Sequence, residues 1–551
     1  MNKLHAIAAA TALVAFGSAH ALTPAQIDAA RGNGSLKEVS VSGASALRLS
    51  FAAYASEILD NLHRYQNDAS GNNHRAYAGT LNQAVGSWGA GTPVILYKRD
   101  QGGSGQGVNP VAAATPIAHM VVNAATCTAG DGSVASPYLC GTTENRVSDA
   151  GISDLEPALL QKPANLPSGA AALNANQLGN LDVAPLVQGI FGVAVNKKAY
   201  RALQQAQGII PVGAPLLDVP ADQNTWNAAT LATIPSLPVE FVRAALSGSL
   251  GGGAGNATTK RGWNIVIPTS VDPNVVTKTI NIVRRVEGSG TQAASNVFFL
   301  NNGSSETGAL APLGVAGSTG NPSVVHRVTG PGYVVQEGSG AGNVEDGLGR
   351  VSAADTVNSV EEAADGDGIA YGLGVLGREV NPLRDGGDRG YRFVKLDGVA
   401  PVRALAKAGD YGFVFEATMQ WNKTVVPAGS EKSLFLTALR SNLGKPSSLA
   451  AVDSNTQQGV MSPPSTYTGA YVDATGDAAL FGSRVARQAN NSPPPLRIKK
   501  YEIPPRGAGA RQQQGPGLLP SWSLFMLRPL LRSNPLSAIC RHWLAAAAMA
   551  G

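Results

Sequence analysis

A short segment in the middle of the chain concentrates side chains that can bind an anion. An apolar run at residues 280–283 leads into Arg285, and the sequence then turns through Gly-Ser-Gly-Thr at residues 288–291. Glycines let the backbone curl so that successive N–H groups point into one concavity, and a helix N-terminus adds the positive end of its dipole. Ser289 and Thr291 supply hydroxyl donors, while the guanidinium of Arg285 is a planar fork that fits a tetrahedral oxyanion. The pattern predicts a strand, a donor-rich turn and a helix that together bind a small anion such as phosphate.

Nucleotide-binding motifs are the alternatives for this turn. A Walker loop is excluded, because no Gly-Lys-Ser/Thr follows at the required spacing. The dinucleotide fingerprint is closer, since Gly288, Gly290 and Ala293 match its relaxed form. It also requires a second strand that ends in an acid about 20 residues further on, whereas Glu306 follows a loop-like run. A chance match in a chain with 65 glycines is the other alternative, and the preceding strand, the arginine and the helix-like residues 293–300 argue against it.

Residues 1–21 are predicted to be a secretory signal peptide. Lys3 gives a positive start, a short apolar run follows, and Ala19 and Ala21 fit the small-x-small cleavage pattern. The apolar run is too short to span a bilayer, and no cysteine lies near the cleavage point to carry a lipid. We therefore expect an exported protein, periplasmic or secreted.

The formal net charge of +5 does not indicate a nucleic-acid partner. Residues 491–551 contain eight lysines and arginines against one acid, so that residues 22–490 have a net charge of −3. An anion site in this acidic body must work through local donors and not through a global positive field. Residues 451–551 are rich in Ser, Thr, Gly and Pro and then in basic residues, and are predicted to be a low-complexity, disordered tail.

The rest of the chain is predicted to be an α/β protein. With 44% apolar and 14% charged residues it can bury a sizeable core, and strands alternate with helices, which is typical of mainly parallel sheets. Residues 61–92 are polar and are predicted to be a loop-rich surface insertion. The predicted strands are residues 37–43, 94–97, 189–196 and 367–377, and the predicted helices are residues 46–59, 197–207 and 238–246.

Cys127 and Cys140 flank a short loop and are predicted to form a disulfide in an oxidising compartment. Cys540 stands alone in the tail. No CxxC motif and no histidine-rich cluster is present, so we expect neither a metal nor another cofactor.

Segments along the chain resemble the phosphate-binding proteins of bacterial phosphate ABC transporters, which belong to the type 2 periplasmic-binding superfamily. The resemblance implies a two-lobed α/β fold with a ligand cleft between the lobes. Under it, lobe 1 covers residues 22–190 and lobe 2 residues 191–385, and the chain returns to lobe 1 over residues 386–450. Together the matching segments cover roughly residues 36–425, and they are residues 42–51, 103–108, 151–157, 282–291 and 395–402.

The same resemblance implies a role for each matching residue. Ser104 would donate to a phosphate oxygen, Asp154 would accept the proton of hydrogen phosphate, and Arg285 would be the charged fork. Leu47 and Arg48 occupy the places of the family's Thr-Phe pair, so that only backbone N–H groups or Ser45 could serve there. The remaining donors would come from the hydroxyls and backbone of Ser289, Gly290 and Thr291.

The chemistry of a carboxylate supports the role of Asp154. Facing fully ionised sulfate it meets only lone pairs and repulsion, whereas hydrogen phosphate offers it an O–H to accept. A helix N-cap before Leu155 is the alternative role for this residue.

The predicted function is capture of inorganic phosphate for an ABC-type uptake system, by a monomer that is not an enzyme. Its partners would be phosphate and an inner-membrane ABC permease, with no nucleic acid. One alternative is a secreted or surface-associated phosphate-binding protein that scavenges or attaches without a transporter. Another is a phosphate-ester hydrolase, which no G-x-S-x-G elbow or clustered metal ligands support.

Overall fold

The computed structural model describes residues 22–48, 50–69, 71–167, 169–250, 262–302, 308–312, 326–330, 332–349, 369–445, 448 and 460–462. The predicted signal peptide, Cys540 and the predicted tail, apart from residues 460–462, lie outside these ranges. Within them, no helix combines the length and the apolar character needed to cross a membrane.

Strands and helices alternate along the chain. The strands are β1 Lys37–Gly43, β2 Leu59–Gln66, β3 His74–Leu81, β4 Pro93–Arg99, β5 Ile117–Met120, β6 Cys127–Ala129, β7 Tyr138–Cys140, β8 Thr143–Arg146, β9 Ala150–Ser153, β10 Leu181–Asn196, β11 Ser236–Leu237, β12 Ile280–Arg285, β13 His326–Gly330, β14 Tyr333–Gly338, β15 Tyr371–Gly377, β16 Tyr391–Phe393, β17 Lys395–Leu396, β18 Val414–Asn422 and β19 Val460–Ser462. The α-helices are α1 Pro24–Gly32, α2 Phe51–Ser56, α3 Asn109–Ala113, α4 Ala175–Gly179, α5 Lys197–Ala206, α6 Ala228–Thr233, α7 Val239–Leu246, α8 Gly290–Leu300, α9 Ala341–Leu348, α10 Arg403–Ala408 and α11 Glu431–Leu443.

Most strands join one large sheet, whose order is β13-β14-β12-β15-β10-β18-β9-β1-β4-β3-β2-β7-β6. The long strand β10 divides it into two sections. Up to Ile190 it pairs with β18, and from Phe191 onward it pairs with β15. We call the strands from β18 to β6 the first section and those from β15 to β13 the second section. The α/β class is confirmed.

The expectation of mainly parallel sheets is wrong for the described residues. Each section has a parallel centre, β9-β1-β4 in the first and β14-β12-β15 in the second. Around these centres, β3 pairs antiparallel with both neighbours, and β10 is antiparallel to β15, β16, β18 and β19. The sheet is mixed because short hairpins and one long shared strand replace helical crossovers at these places.

The polar stretch 61–92 is not a surface insertion. It contains most of β2 and all of β3, and Tyr65 and Tyr77 are fully buried. The sequence pattern did not predict β3, because strand prediction expects polar residues such as His74 and Arg75 on an exposed face. In the structure both residues are buried. The helix predicted over residues 46–59 is also shorter, since a 3₁₀ turn at Ser45–Leu47 precedes α2.

Aromatic rings pack the junction between the two sections. Phe191 of β10 stacks on Phe415 of β18 with ring centroids 4.2 Å apart, and Phe298 of α8 stacks on Phe413 at 4.6 Å. Such pairs contribute about 0.5–1.5 kcal/mol each beyond the area that they bury. The junction therefore holds α8, whose N-terminus carries the predicted anion loop, against the shared strands.

The predicted disulfide is confirmed. Cys127 of β6 lies opposite Cys140 of β7 in the antiparallel register, with Cα atoms 4.1 Å apart, and the two sulfurs are bonded. Cys140 is buried in a small core that also contains Tyr65 and Met120. The bridge therefore closes the hairpin at the outer edge of the first section.

We expect the double variant Cys127→Ser/Cys140→Ser to lose about 3 kcal/mol of unfolding free energy, because the bridge restrains a short loop of the unfolded chain. Phosphate affinity should not change, since β6 and β7 form the edge of the sheet farthest from β9 in the first section. Chemical denaturation and ligand titration measure the two quantities. Thiol counting on denatured, unreduced wild type should find Cys540 alone, and three reactive thiols would contradict the bridge.

Candidate functional site

The candidate site lies where the carboxyl ends of the two parallel centres meet. In the first section, Ser45 follows β1, Ser104 lies in the 3₁₀ turn Gly103–Gly107 after β4, and Asp154 follows β9. In the second section, Arg285 ends β12 and is followed by the loop into α8. Open α/β sheets bind ligands at the carboxyl ends of their strands. Residues as far as 240 positions apart in the sequence are thus brought together at this site.

The loop between β12 and α8 follows from its local sequence. Gly288 has φ +84°, a conformation that side-chain-bearing residues rarely adopt, and it turns the chain away from the strand. Ser289 is the N-cap of α8, and its hydroxyl oxygen accepts a hydrogen bond from the backbone N–H of Gln292 at 3.4 Å. The helix therefore begins at Gly290, three residues before the predicted helix-like run. Because its oxygen is the acceptor in this cap, the Ser289 hydroxyl can still donate its hydrogen to a ligand.

Arg285 is a buried cation whose hydrogen bonds all go to neutral acceptors. Its Nη1 donates to Ser45 Oγ at 2.9 Å, its Nη2 to the carbonyl oxygen of Ser339 at 2.6 Å, and its Nε to that of Gly338 at 3.3 Å. Burial lowers the pKa of Arg285 to about 10, an effect that the nearby carboxylate of Asp154 opposes. The guanidinium is still charged at neutral pH, and no carboxylate accepts any of these three bonds.

Asp154 is buried beside this cation. Its backbone N–H donates to Ser104 Oγ at 3.0 Å, and its Oδ2 accepts from Thr291 Oγ1 at 3.4 Å. Its Oδ1 has no hydrogen-bond partner in the part of the chain that the structure describes. The alternative role as a helix N-cap does not hold, because the next turn, Pro157–Gln161, is preceded by Glu156.

Burial raises the pKa of Asp154 from 3.8 to about 6, against the opposing charge of Arg285 and hydrogen bonding from Ser104 and Thr291. At neutral pH the group is therefore a carboxylate whose charge is poorly stabilised. Such a carboxylate gains from any ligand O–H that it can accept.

The two loops touch across the site. The N–H of Gly105, in the turn after β4, donates to the carbonyl oxygen of Gly288 at 2.6 Å. The cavity between Ser45, Arg285 and Thr291 has a volume of about 10 Å³, which is the space of one water molecule. The described conformation is closed, and an anion of the size of phosphate can enter only when the two loops separate.

Gly290 is the residue at which this closure is tightest. A Cβ atom added there would lie 2.2 Å from Ser104 Oγ and 2.7 Å from both Cβ and Oδ2 of Asp154. Its own φ is not positive, so alanine would fit the helix start without backbone strain. The requirement for glycine at this position comes from the approach of the other loop.

We expect Gly290→Ala to weaken phosphate binding by at least tenfold and to lower the melting temperature of the ligand-free protein by a few degrees, because the added methyl group meets Ser104 and Asp154 in the closed form. The methyl group blocks closure but does not disturb the helix, for which alanine is a better former than glycine. Calorimetric titration and thermal unfolding test both halves. Gly179→Ala is a suitable control, because the space around a Cβ at that position is open. Gly349→Ala is not suitable, because a Cβ there would meet the backbone of Gly390. Unchanged affinity in Gly290→Ala would contradict the closed geometry.

Leu47 contributes differently from a hydroxyl-bearing residue. Its side chain is buried in the main hydrophobic core, which leaves only its backbone for a ligand. Ser45, on the same 3₁₀ turn, supplies the hydroxyl that contacts Arg285.

The carbonyls of Gly338 and Ser339, which accept hydrogen bonds from Arg285, were not predicted from the sequence. The sequence feature that could have indicated these two carbonyls is the Gly-Ser-Gly at residues 338–340, which connects β14 to α9 as the loop after β12 connects that strand to α8.

Among the residues that the structure describes, no group of three or more His, Cys, Asp or Glu side chains is arranged to hold a metal ion. Asp100, near the site, forms an ion pair with Lys98 at 2.5 Å and is thereby already neutralised.

No protein-family model matches the chain, and a search of curated proteins finds no match. Solved structures match at the level of shape. They include a candidate phosphate ABC transporter substrate-binding protein with bound phosphate from Clostridium perfringens, at 10% identity and a TM-score of 0.36, covering 77% of this chain and 100% of that one. An ABC-type phosphate transport receptor from Vibrio cholerae matches at 11% identity and a TM-score of 0.30, covering 73% and 94%. A phosphate-binding protein from Stenotrophomonas maltophilia matches at 12% identity and a TM-score of 0.31, covering 71% and 81%. At TM-scores below 0.5 these likenesses do not assign a function to this chain.

Proposed function

We propose that this protein is an exported solute-binding protein that captures inorganic phosphate between its two lobes and delivers it to an ABC-type uptake system. One observation supports this most directly. A buried arginine without an acidic hydrogen-bond partner lies beside a buried carboxylate with a free oxygen, and hydroxyl groups and a helix N-terminus surround both.

The donors and the acceptor favour hydrogen phosphate over other oxyanions. Arg285, Ser289 and Thr291 can donate to the ionised oxygens of the ligand, while Asp154 can accept from its single O–H. Sulfate has no proton to give, so the same carboxylate would repel it. The set of groups therefore selects by protonation state as well as by charge.

The ligand would enter an open form and be enclosed by closure of the two lobes. The chain crosses between the sections along β10, and opening there would separate Gly105 from Gly288. Closure removes water from the bound anion and so strengthens each charge-assisted bond. A permease could then distinguish the closed form from the open one. We propose that the protein works as a monomer.

The role is binding and not catalysis. Ser104 Oγ accepts from the backbone N–H of Asp154, and Ser289 Oγ accepts from that of Gln292. Within the described ranges neither hydroxyl is hydrogen-bonded to a histidine, the usual general base for attack by a serine hydroxyl on an ester.

Titration of the purified mature protein, stripped of ligand, with phosphate and with sulfate tests the proposal. We expect one phosphate per chain to bind, and sulfate to bind at least a hundredfold more weakly. A protein that binds neither anion, or both equally, would refute phosphate as the ligand. A permease that is stimulated only by the phosphate-loaded protein would support delivery, and a phosphate-binding protein without such an effect would be a scavenger.

A further inference from the structure

Arg48 is a second buried guanidinium near the candidate site. It directly follows the Ser45–Leu47 turn and is 2% exposed. Its Nε and Nη1 have no hydrogen-bond partner among the residues that the structure describes. Burial lowers the pKa of Arg48, and the charge of Arg75 lowers it further. A buried charge without partners destabilises a closed protein, so its presence there calls for a compensating anion.

The acidic residues that act on Arg48 are each paired with another cation. They are Asp100, whose Oδ1 accepts from Lys98 Nζ at 2.5 Å, and Glu345 of α9, whose Oε2 accepts from Arg384 Nη1 at 2.8 Å. Both acids therefore have a closer cation than Arg48.

Arg75 adds positive charge instead of removing it. Its Nε donates to the carbonyl oxygen of Gly71 at 2.9 Å, and its Nη1 donates to that of Arg48 at 3.4 Å. Both acceptors are neutral. Arg75 therefore does not offset the charge of Arg48.

Arg48 also acts on Arg285. The positive charge of Arg48 is among the causes that lower the pKa of Arg285. The two residues are linked through one turn, since Arg285 Nη1 donates to Ser45 Oγ and Ser45 begins the 3₁₀ turn that ends just before Arg48. Two guanidiniums that repel each other in the closed protein would both gain from an anion between them.

We propose that Arg48 is a second guanidinium for the bound phosphate, a role that rests on the proposed function and deepens it. The charge balance gives the reason. Hydrogen phosphate and the Asp154 carboxylate together carry three negative charges, against one positive charge on Arg285. Arg48 reduces this imbalance, and its unpartnered Nε and Nη1 supply donors that Leu47, with an apolar side chain, cannot.

This role predicts opposite effects on stability and on affinity. Arg48→Met keeps the unbranched stem of the side chain and removes the charge. We expect its ligand-free form to melt several degrees higher than wild type, because an unpaired buried charge is gone, and its Kd for inorganic phosphate to rise at least tenfold. Arg48→Lys keeps the charge and should retain most of the affinity.

Arg284→Met is the matched control. Arg284 is also a buried guanidinium, but it lies 3.4 Å from Glu337 and donates to the carbonyl oxygen of Pro312 at 2.7 Å. Its loss should lower the melting temperature and leave the Kd for phosphate within about twofold, which is the reverse of the Arg48→Met pattern.

Thermal unfolding without ligand and calorimetric titration with inorganic phosphate, applied to wild type and the three variants, decide the matter. A lower melting temperature for Arg48→Met, or its failure to fold, would assign Arg48 a structural role and overturn the inference. Wild-type affinity in a folded Arg48→Met would overturn it as well, with phosphate binding itself intact. A wild type that does not bind phosphate would refute the proposed function, and the role of Arg48 with it.

Discussion

Replacing Arg285 by alanine is expected to remove about 3–5 kcal/mol of phosphate binding free energy, which raises the Kd roughly 150- to 4,000-fold. The guanidinium is buried, and its bonds go to Ser45 and to two backbone carbonyls, so its positive charge is available to an anion. In a closed site without water, no solvent can replace that charge. Calorimetric titration with phosphate measures the loss.

Two variants separate this role from general damage to the fold. Arg285→Lys keeps the charge but not the planar fork, and should bind with an intermediate Kd. Arg284→Ala removes the neighbouring buried guanidinium, whose side chain points to the opposite face of β12. It should weaken folding but not phosphate binding in the folded protein. Equal losses of affinity in Arg284→Ala and Arg285→Ala would contradict the proposed site.

Replacing Asp154 by asparagine should reduce the preference for phosphate over sulfate. The amide is a poorer acceptor for the O–H of hydrogen phosphate, so phosphate affinity should fall at least tenfold. The same change removes the repulsion of fully ionised oxyanions, so sulfate should bind more tightly than it does to wild type. Competition titrations with both anions at neutral pH measure the ratio. An unchanged ratio would rule out Asp154 as the discriminating group.

The same variant should change how stability depends on pH. Burial raises the pKa of Asp154 from 3.8 to about 6, so the closed protein holds this proton more tightly than the unfolded chain does. The contribution of protonated Asp154 to the free energy of unfolding is therefore fully present below about pH 4 and is lost as the pH rises through about 6. Above that pH the buried carboxylate costs about 3 kcal/mol, which Asp154→Asn should recover.

Melting temperatures of the ligand-free proteins between about pH 4 and about pH 8 test this expectation. Subtracting wild type from variant isolates Asp154 from the buried His74 and His119, because burial lowers the pKa of both histidines in both proteins. Asp149→Asn is the matched control. That carboxylate directly precedes β9, as Asp154 directly follows it, and accepts hydrogen bonds from Ser40 and Lys432 outside the site. The Asp149→Asn variant should show no increase in melting temperature at high pH and no change in anion preference. A difference in melting temperature between Asp154→Asn and wild type that does not vary with pH would mean that the Asp154 carboxylate is hydrated.

Local sequence was sufficient for the elements that define the anion loop. The apolar run, the arginine and the Gly-Ser-Gly-Thr turn predicted β12, the loop and α8, because strand pairing of apolar residues, a glycine turn and a serine N-cap are short-range effects. The Cys127–Cys140 bridge followed in the same way from a short loop between two cysteines. The strands around residues 37–43, 94–97 and 189–196 and the helices α5 and α7 were also predictable from their periodicity.

Sequence alone failed where burial contradicted polarity. Residues 61–92 form buried strands, because polar groups there find partners that lie far apart in the chain or across a turn, as Arg75 does with the carbonyl oxygen of Arg48. The balance of parallel and antiparallel pairs was missed for a related reason. It depends on β10 pairing with strands at least 178 residues away, and no local pattern encodes a partner.

For the candidate site, the sequence by itself determined which groups could bind an anion, since residue type fixes charge, fork geometry and hydroxyl donors. Only the tertiary structure decided that Ser45, Ser104 and Asp154 meet Arg285, because the register of β1, β4, β9 and β12 sets which strand ends coincide. The tertiary structure also brings Ser104 and Asp154 so near to position 290 that only glycine fits there. It likewise buries Asp154, which raises the pKa of that residue. Desolvation and steric contact depend on what surrounds a residue, and at this site those surroundings come from segments that lie far apart in the chain.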